Sequence, residues 1–272
     1  MTSTILHRSK ITPKLTGWRG GVGPELVLIH GVGLTADTWY AMLPELSQHF
    51  TITAIDLPGH GASAPLNSRT ETTLSDFSDS IVDAIANIAD QAIIVGHSLG
   101  AFIALDIAAH HPGRVAVVAA LNAIFRRSKL ASAAVKNRAR ELSSVEKTDP
   151  AATLDRWFGN SPQGALIDAR KNCERMLNEA DPAGYAAAYQ VFANCDGPSN
   201  SALRAIKAPM LCITGAEEPN STPSMSTELA TLATDGQAVI IEGARHMMPI
   251  THAANITRHL IQFAQSKGLL NA

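Results

Sequence analysis

The chain has few cysteines, almost no net charge and no long apolar runs, and each absence removes a class of function. Its three cysteines, Cys173, Cys195 and Cys212, are an odd number without C-x-x-C spacing. Neither a disulfide framework nor a zinc site is therefore indicated. A net charge of −2 over 272 residues lacks the basic footprint of a nucleic-acid binder. No apolar run approaches the roughly 18 residues needed to cross a bilayer. The opening Met1-Thr2-Ser3-Thr4-Ile5-Leu6-His7-Arg8 has no extended apolar core and no small-residue cleavage site, so a secretory signal is not expected. Repeats and low-complexity tracts are also missing. The expectation is a cytoplasmic protein that acts on small molecules, with no nucleic-acid or membrane partner.

What is present is a rhythm. From residue 25, short apolar runs at 26–29, 51–55, 92–95 and 115–121 alternate with amphipathic stretches at 36–48, 72–89 and 99–110. Strands alternating with helices imply a mostly parallel, twisted sheet covered on both faces, an α/β architecture. The rhythm stops after 121. Residues 123–205 have helical spacing at 131–145, 164–180 and 183–194 and no convincing strand. It resumes with a strand at 210–214, a helix at 222–234, a strand at 238–242 and a helix at 252–266. The core is thus expected from residues 1–122 and 206–272, with 123–205 inserted as helices.

One short stretch carries chemistry. Gly96-His97-Ser98-Leu99-Gly100 joins an apolar strand to an apolar helix. The two glycines leave room for a tight turn that lifts Ser98 above the end of the sheet. The start of the following helix offers backbone N–H groups to a developing oxyanion. A serine hydroxyl is a poor nucleophile near neutral pH and needs a base, itself oriented by an acid.

With this context the chain resembles the α/β-hydrolase superfamily, specifically serine hydrolases with a helical lid, over about residues 25–264. Three further segments carry the likeness: His30-Gly31-Val32-Gly33 after the first core strand, Asp56-Leu57-Pro58-Gly59-His60-Gly61 after the second, and Gly243-Ala244-Arg245-His246 after the last. The resemblance implies Ser98 as nucleophile, His246 as base, and the main-chain N–H groups of Val32 and Leu99 as oxyanion donors. The acid falls after the strand at 210–214, in Gly215-Ala216-Glu217-Glu218-Pro219. The family normally has aspartate here; spacing favours Glu218, with the adjacent Glu217 as competitor. Asn122, at the place where some relatives put the acid, carries no charge.

The inserted helices resemble a cap over the serine. Candidate pocket residues are Phe125, Trp157, Phe158, Tyr185, Tyr189 and Phe192, with His30, Trp39, Phe102 and Met247 from the core. For His30 and His60 the simpler role is to hold loop geometry. The remaining histidines lack metal spacing, and neither metal nor cofactor is implied. Between 123 and 140, Arg126, Arg127, Lys129, Lys136, Arg138 and Arg140 occur with no acidic residue. Such a cluster could steer an anionic substrate, although a solvated helix face is the simpler account. The implied reaction is hydrolysis of a small carboxylic ester or lactone, similar to esterases and enol-lactonases. Hydrolytic carbon–carbon cleavage of a diketone-like acid, or a receptor on the same fold with little turnover, are the alternatives. Ser98 argues against epoxide opening and dehalogenation, for which relatives use an aspartate nucleophile.

Overall fold

In the computed structural model, residues 5–66, 71–142 and 149–271 are described. Eight strands form one sheet: β1 (His7–Lys10), β2 (Thr16–Gly21), β3 (Glu25–Ile29), β4 (Thr51–Ile55), β5 (Ala92–His97), β6 (Val115–Leu121), β7 (Met210–Gly215) and β8 (Gly236–Ile241). Their order is β1-β2-β4-β3-β5-β6-β7-β8. The pairings of β1 with β2 and of β2 with β4 are antiparallel, and the other five are parallel.

The central strands are apolar runs because helices cover both faces of a parallel sheet. Successive side chains point to opposite faces. Val27, Ile29, Ile94, Val118, Ala120 and Met210 therefore join one buried cluster. Leu26, Leu28, Ile93, Val95, Val117, Ala119 and Leu211 join another. The first cluster packs against α2 (Leu74–Ala86), α3 (Leu99–His110) and α9 (Pro223–Leu232). The second packs against α1 (Leu43–Leu46), α10 (Met248–Thr251) and α11 (Ala253–Ser266). Between β6 and β7 lie α4 (Lys129–Leu142), α5 (Ala151–Phe158), α6 (Ala165–Glu179), α7 (Pro182–Asn194) and α8 (Asn200–Ala205).

The structure departs from the sequence expectation in three places. The hairpin β1–β2 is additional: its first strand is mostly exposed and its second is glycine-containing, so neither shows an apolar signal. The helix expected over 36–48 is a 3₁₀ turn, Ala36–Trp39, followed by α1. Pro44, near the start of α1, cannot continue a helix from the preceding turn. Between β6 and β7, α5 and α8 are helices beyond those expected. No helix among the described residues is long and apolar enough to cross a membrane.

Because β3 through β8 run parallel, their carboxyl ends share one edge of the sheet. The loops leaving them converge there, where open α/β sheets place ligands.

Candidate active site

Ser98 sits between β5 and α3 at φ 57°, ψ −116°, a left-handed conformation uncommon for any residue except glycine. The flanking glycines make this bend feasible. A Cβ on Gly96 would lie 1.9 Å from the Gly100 carbonyl oxygen, and one on Gly100 would lie 2.1 Å from that of Ile29. Any side chain at either position would push α3 off the sheet. The bend is held by the Ser98 N–H, which donates to the Leu121 carbonyl at 3.0 Å.

His246 follows β8, and its ring reaches back to the loop after β7. Its Nδ1 lies 2.8 Å from Glu218 Oε2. The other carboxylate oxygen, Oε1, accepts from the backbone N–H groups of Asn220 (2.8 Å) and Ser221 (3.4 Å). Burial pushes the Glu218 carboxyl upward, but the His246 ring and these hydrogen bonds outweigh it and leave it below the ordinary glutamate value. Of the two adjacent glutamates, Glu218 has its side chain fully buried against the ring. Glu217 is 52% exposed and pairs with Arg245 at 3.2 Å. A carboxylate on Nδ1 fixes that nitrogen as the N–H donor and leaves Nε2 as the basic one.

The backbone of His246 is held as firmly as its ring. Its carbonyl accepts from His97 Nε2 at 2.8 Å and from Asn122 Nδ2 at 2.7 Å. Asn122 Oδ1 in turn accepts from the Thr214 hydroxyl at 2.9 Å. Burial drives the His97 pKa down to about 3, so the ring is a neutral donor near neutral pH. Asn122, expected only as a site without charge, thus anchors the histidine loop.

Two more histidines brace the loop after β3. The Leu57 N–H donates to His30 Nε2 at 2.9 Å, which makes His30 Nδ1 the donor to the Gly31 carbonyl at 2.7 Å. The Gly33 N–H donates to His60 Nε2 at 3.1 Å, which makes His60 Nδ1 the donor to the Pro58 carbonyl at 3.1 Å. Both rings are buried and 5.3 Å apart. Burial lowers the pKa of each, that of His30 to about 3. With the Gly33 N–H occupied, the Val32 N–H, like that of Leu99 at the start of α3, finds no acceptor among the described residues.

Above this edge is a cavity of about 530 Å³, within the range of small-molecule sites. The sheet side contributes Gly31, Val32, Ser98 and His246; the helical side contributes residues of α4, α5 and α7, Trp157 and Tyr189 among them. Trp157 stacks on the His246 ring, with centroids 5.5 Å apart and planes 24° from parallel.

Six expected pocket residues lie elsewhere, among them Phe158, which is buried with Leu154 and Met176. His30 has both ring nitrogens committed to loop bonds. Trp39 is packed on the opposite face of the sheet. Phe102, on α3, and Phe125 are in the core, the Phe102 and Phe192 rings 5.8 Å apart. Met247 is enclosed with Leu34, Leu154 and Met176. Apolar residues on a helix or loop have two apolar directions available, core and cavity, and sequence spacing does not distinguish them. Arg156, Asn220 and Thr222 line the cavity without any periodic signal that would have picked them out. No cluster of three or more potential metal ligands occurs among the described residues.

Residues 26–258 match the model of the alpha/beta hydrolase family. An (E)-2-((N-methylformamido)methylene)succinate hydrolase of Acinetobacter baylyi is 34% identical over 232 residues, covering 85% of this chain and 86% of that protein. A pimeloyl-[acyl-carrier protein] methyl ester esterase of Stenotrophomonas maltophilia is 30% identical over 252 residues, covering 89% and 93%. The enol-lactonase structure from Burkholderia xenovorans superposes with a TM-score of 0.77 at 24% identity, covering 96% of both chains. The chain belongs to the alpha/beta hydrolase family.

Proposed function

We propose that the protein is a serine hydrolase that transfers the acyl group of a small carboxylic ester or lactone to water through an acyl-enzyme on Ser98. His246 Nε2 takes the Ser98 proton as Oγ attacks the carbonyl carbon, and returns it to the departing alkoxide. The Nδ1–H bond to Glu218 holds the ring in the required tautomer and stabilises the imidazolium. The N–H groups of Val32 and Leu99 receive the oxyanion, a contribution of roughly 3 kcal/mol per donor. Water, deprotonated by the same imidazole, then releases the acid. Helices α4–α8 act as the cap that shapes the cavity.

The observation that carries this reading is that Ser98 and His246 line one cavity while the other ring nitrogen of His246 is 2.8 Å from the buried Glu218 carboxylate. A second reading, hydrolysis of an activated amide, is favoured by the Acinetobacter relative, whose named substrate is a formamido-methylene succinate. The three cysteines, all free, suit the reducing cytoplasm.

The test is intact-mass detection of a fluorophosphonate adduct on the wild type, Ser98→Ala and His246→Ala, followed by a panel of esters, lactones, enamides and diketo acids. One adduct that is absent from both variants is expected. A folded wild type without an adduct would sink the mechanism and favour a receptor. Turnover confined to diketo acids would instead support carbon–carbon cleavage.

A further inference from the structure

Among the described residues, the cavity lining includes three arginines, Arg127, Arg138 and Arg156, and no aspartate or glutamate. The three differ in what they are already bound to. Arg127 has a side chain only 3% exposed. Its Nη1 donates to Asp196 and to the Cys195 carbonyl, and it lies over the Phe192 ring. Its charge is neutralised where it stands, and it braces α4 against the end of α7. Among the described residues, the carboxylate partner of Arg138 is Glu141, at 3.3 Å across one exposed helical turn, a pairing worth under about 1 kcal/mol that a ligand can replace. Arg156 donates to the neutral Thr153 hydroxyl and has no carboxylate partner among the described residues. Both Arg138 and Arg156 are close enough to Tyr185 and Tyr189, stacked cavity-lining phenols with centroids 6.0 Å apart, to oppose the rise in phenol pKa that burial causes.

We infer that Arg138 and Arg156, on the helical wall of the cavity, form a carboxylate-binding site that selects acyl substrates bearing a second, free carboxylate. This deepens the acyl-transfer reading and rests on it for the word substrate. A guanidinium presents a planar fork of N–H donors that matches a carboxylate with two parallel hydrogen bonds. Supplied from α4 and α5, such a site would hold the remote acid group on the cap while the scissile carbonyl meets Ser98 at the sheet edge. The cationic cluster read from the sequence is thereby divided: Arg138 points into the site, whereas Lys129 and Lys136 are not among the cavity-lining residues. Arg156, outside that cluster, joins it.

The test measures binding and labelling side by side. Calorimetry compares the succinate dianion with neutral succinamide on the wild type, Arg138→Gln, Arg156→Gln, the double variant and Lys136→Gln. The rate at which a neutral fluorophosphonate labels Ser98 is followed with and without succinate. We expect succinate to bind at least about ten-fold more tightly than succinamide and to slow labelling. Each arginine variant should lose about ten-fold in succinate affinity, the scale of one charge-assisted hydrogen bond, and Lys136→Gln should lose none. Equal binding of succinate and succinamide would overturn the site. So would a loss in Lys136→Gln as large as that in Arg156→Gln, because the effect would then be a general field. Absence of labelling together with arginine-dependent succinate binding would sink the acyl-transfer reading while leaving the anion site. Normal labelling without succinate preference would do the reverse.

Discussion

The two walls of the cavity are built on opposite principles. On the sheet side nearly every polar group is buried and committed: Glu218 to His246 and two backbone N–H groups, His97 and Asn122 to the His246 carbonyl, His30 and His60 to the loop after β3. On the helical side, apart from the buried and paired Arg127, the charged groups are long, partly exposed side chains with weak or neutral partners, Arg138 and Arg156. Buried, fully bonded groups fix geometry to fractions of an ångström, which acyl transfer requires. Exposed groups with replaceable partners can exchange them for a ligand. On the proposed reading, chemistry and selectivity fall to different walls of the cavity, and the difference can be attacked from either side.

The largest expected effect is on the sheet side. Glu218→Gln keeps the shape but removes the charge and the tautomer control, and should lower kcat on any hydrolysed ester by about 10⁴-fold. Glu217→Gln, which breaks only an exposed pair with Arg245, should stay within about two-fold. Steady-state kinetics of the two neighbours decides it, and equal losses would mean that the buried pairing is not what matters.

Next in size is the loop brace. His60→Ala leaves the Gly33 N–H buried without its acceptor, a cost of about 1–3 kcal/mol, read as a lower Tm in thermal melts. If Val32 acts as an oxyanion donor, kcat should fall more than KM rises. A variant with an unchanged Tm would show that the brace does not support the fold.

The buried histidines also predict how stability varies with pH. His97 titrates near 3 in the folded protein and near 6.5 when unfolded. Between those values the unfolded state binds the extra proton, so stability falls as pH drops below about 6.5 and continues to fall toward 3. His97 alone contributes about 1.4 kcal/mol per pH unit inside that window. His97→Gln, which retains a donor for the His246 carbonyl, should flatten the curve of denaturant stability against pH by that amount. An identical slope in the variant would show that His97 does not stay neutral in the fold.

The smallest effect belongs to the contact that joins the walls. Trp157 over His246 should stabilise the imidazolium by about 0.5–2 kcal/mol, so Trp157→Leu should cost between two-fold and about thirty-fold in kcat. The signature is optical: acidification should quench a component of tryptophan emission in the wild type and leave Trp157→Phe and His246→Ala unaffected.

How far the sequence reaches depends on whether a feature is local. Ser98 could be recognised because strand, glycine-flanked turn and helix are consecutive, so their physics is contained in about twenty residues. The alternation of β3 through α3 was readable for the same reason. The hairpin β1–β2 was not, since strands that owe their order to pairing with β4 need no apolar pattern of their own. Glu217 and Glu218 are chemically alike, and spacing alone favours Glu218. The turn after β7 is what physically turns Glu218 inward and leaves Glu217 on the surface.

By itself, then, the sequence determined the α/β class and the positions of the serine, the histidine and the acidic pair, because hydrophobic period and turn chemistry act between near neighbours. Only the tertiary structure decided the rest. It committed the Gly33 N–H to His60 while Val32 kept its own, made Asn122 an anchor, buried Phe102 and Trp39 in the core, and turned Arg156 into the cavity. Each of these outcomes is a contact between segments distant in the chain. Such contacts follow from how helices settle on a sheet, which no local pattern encodes.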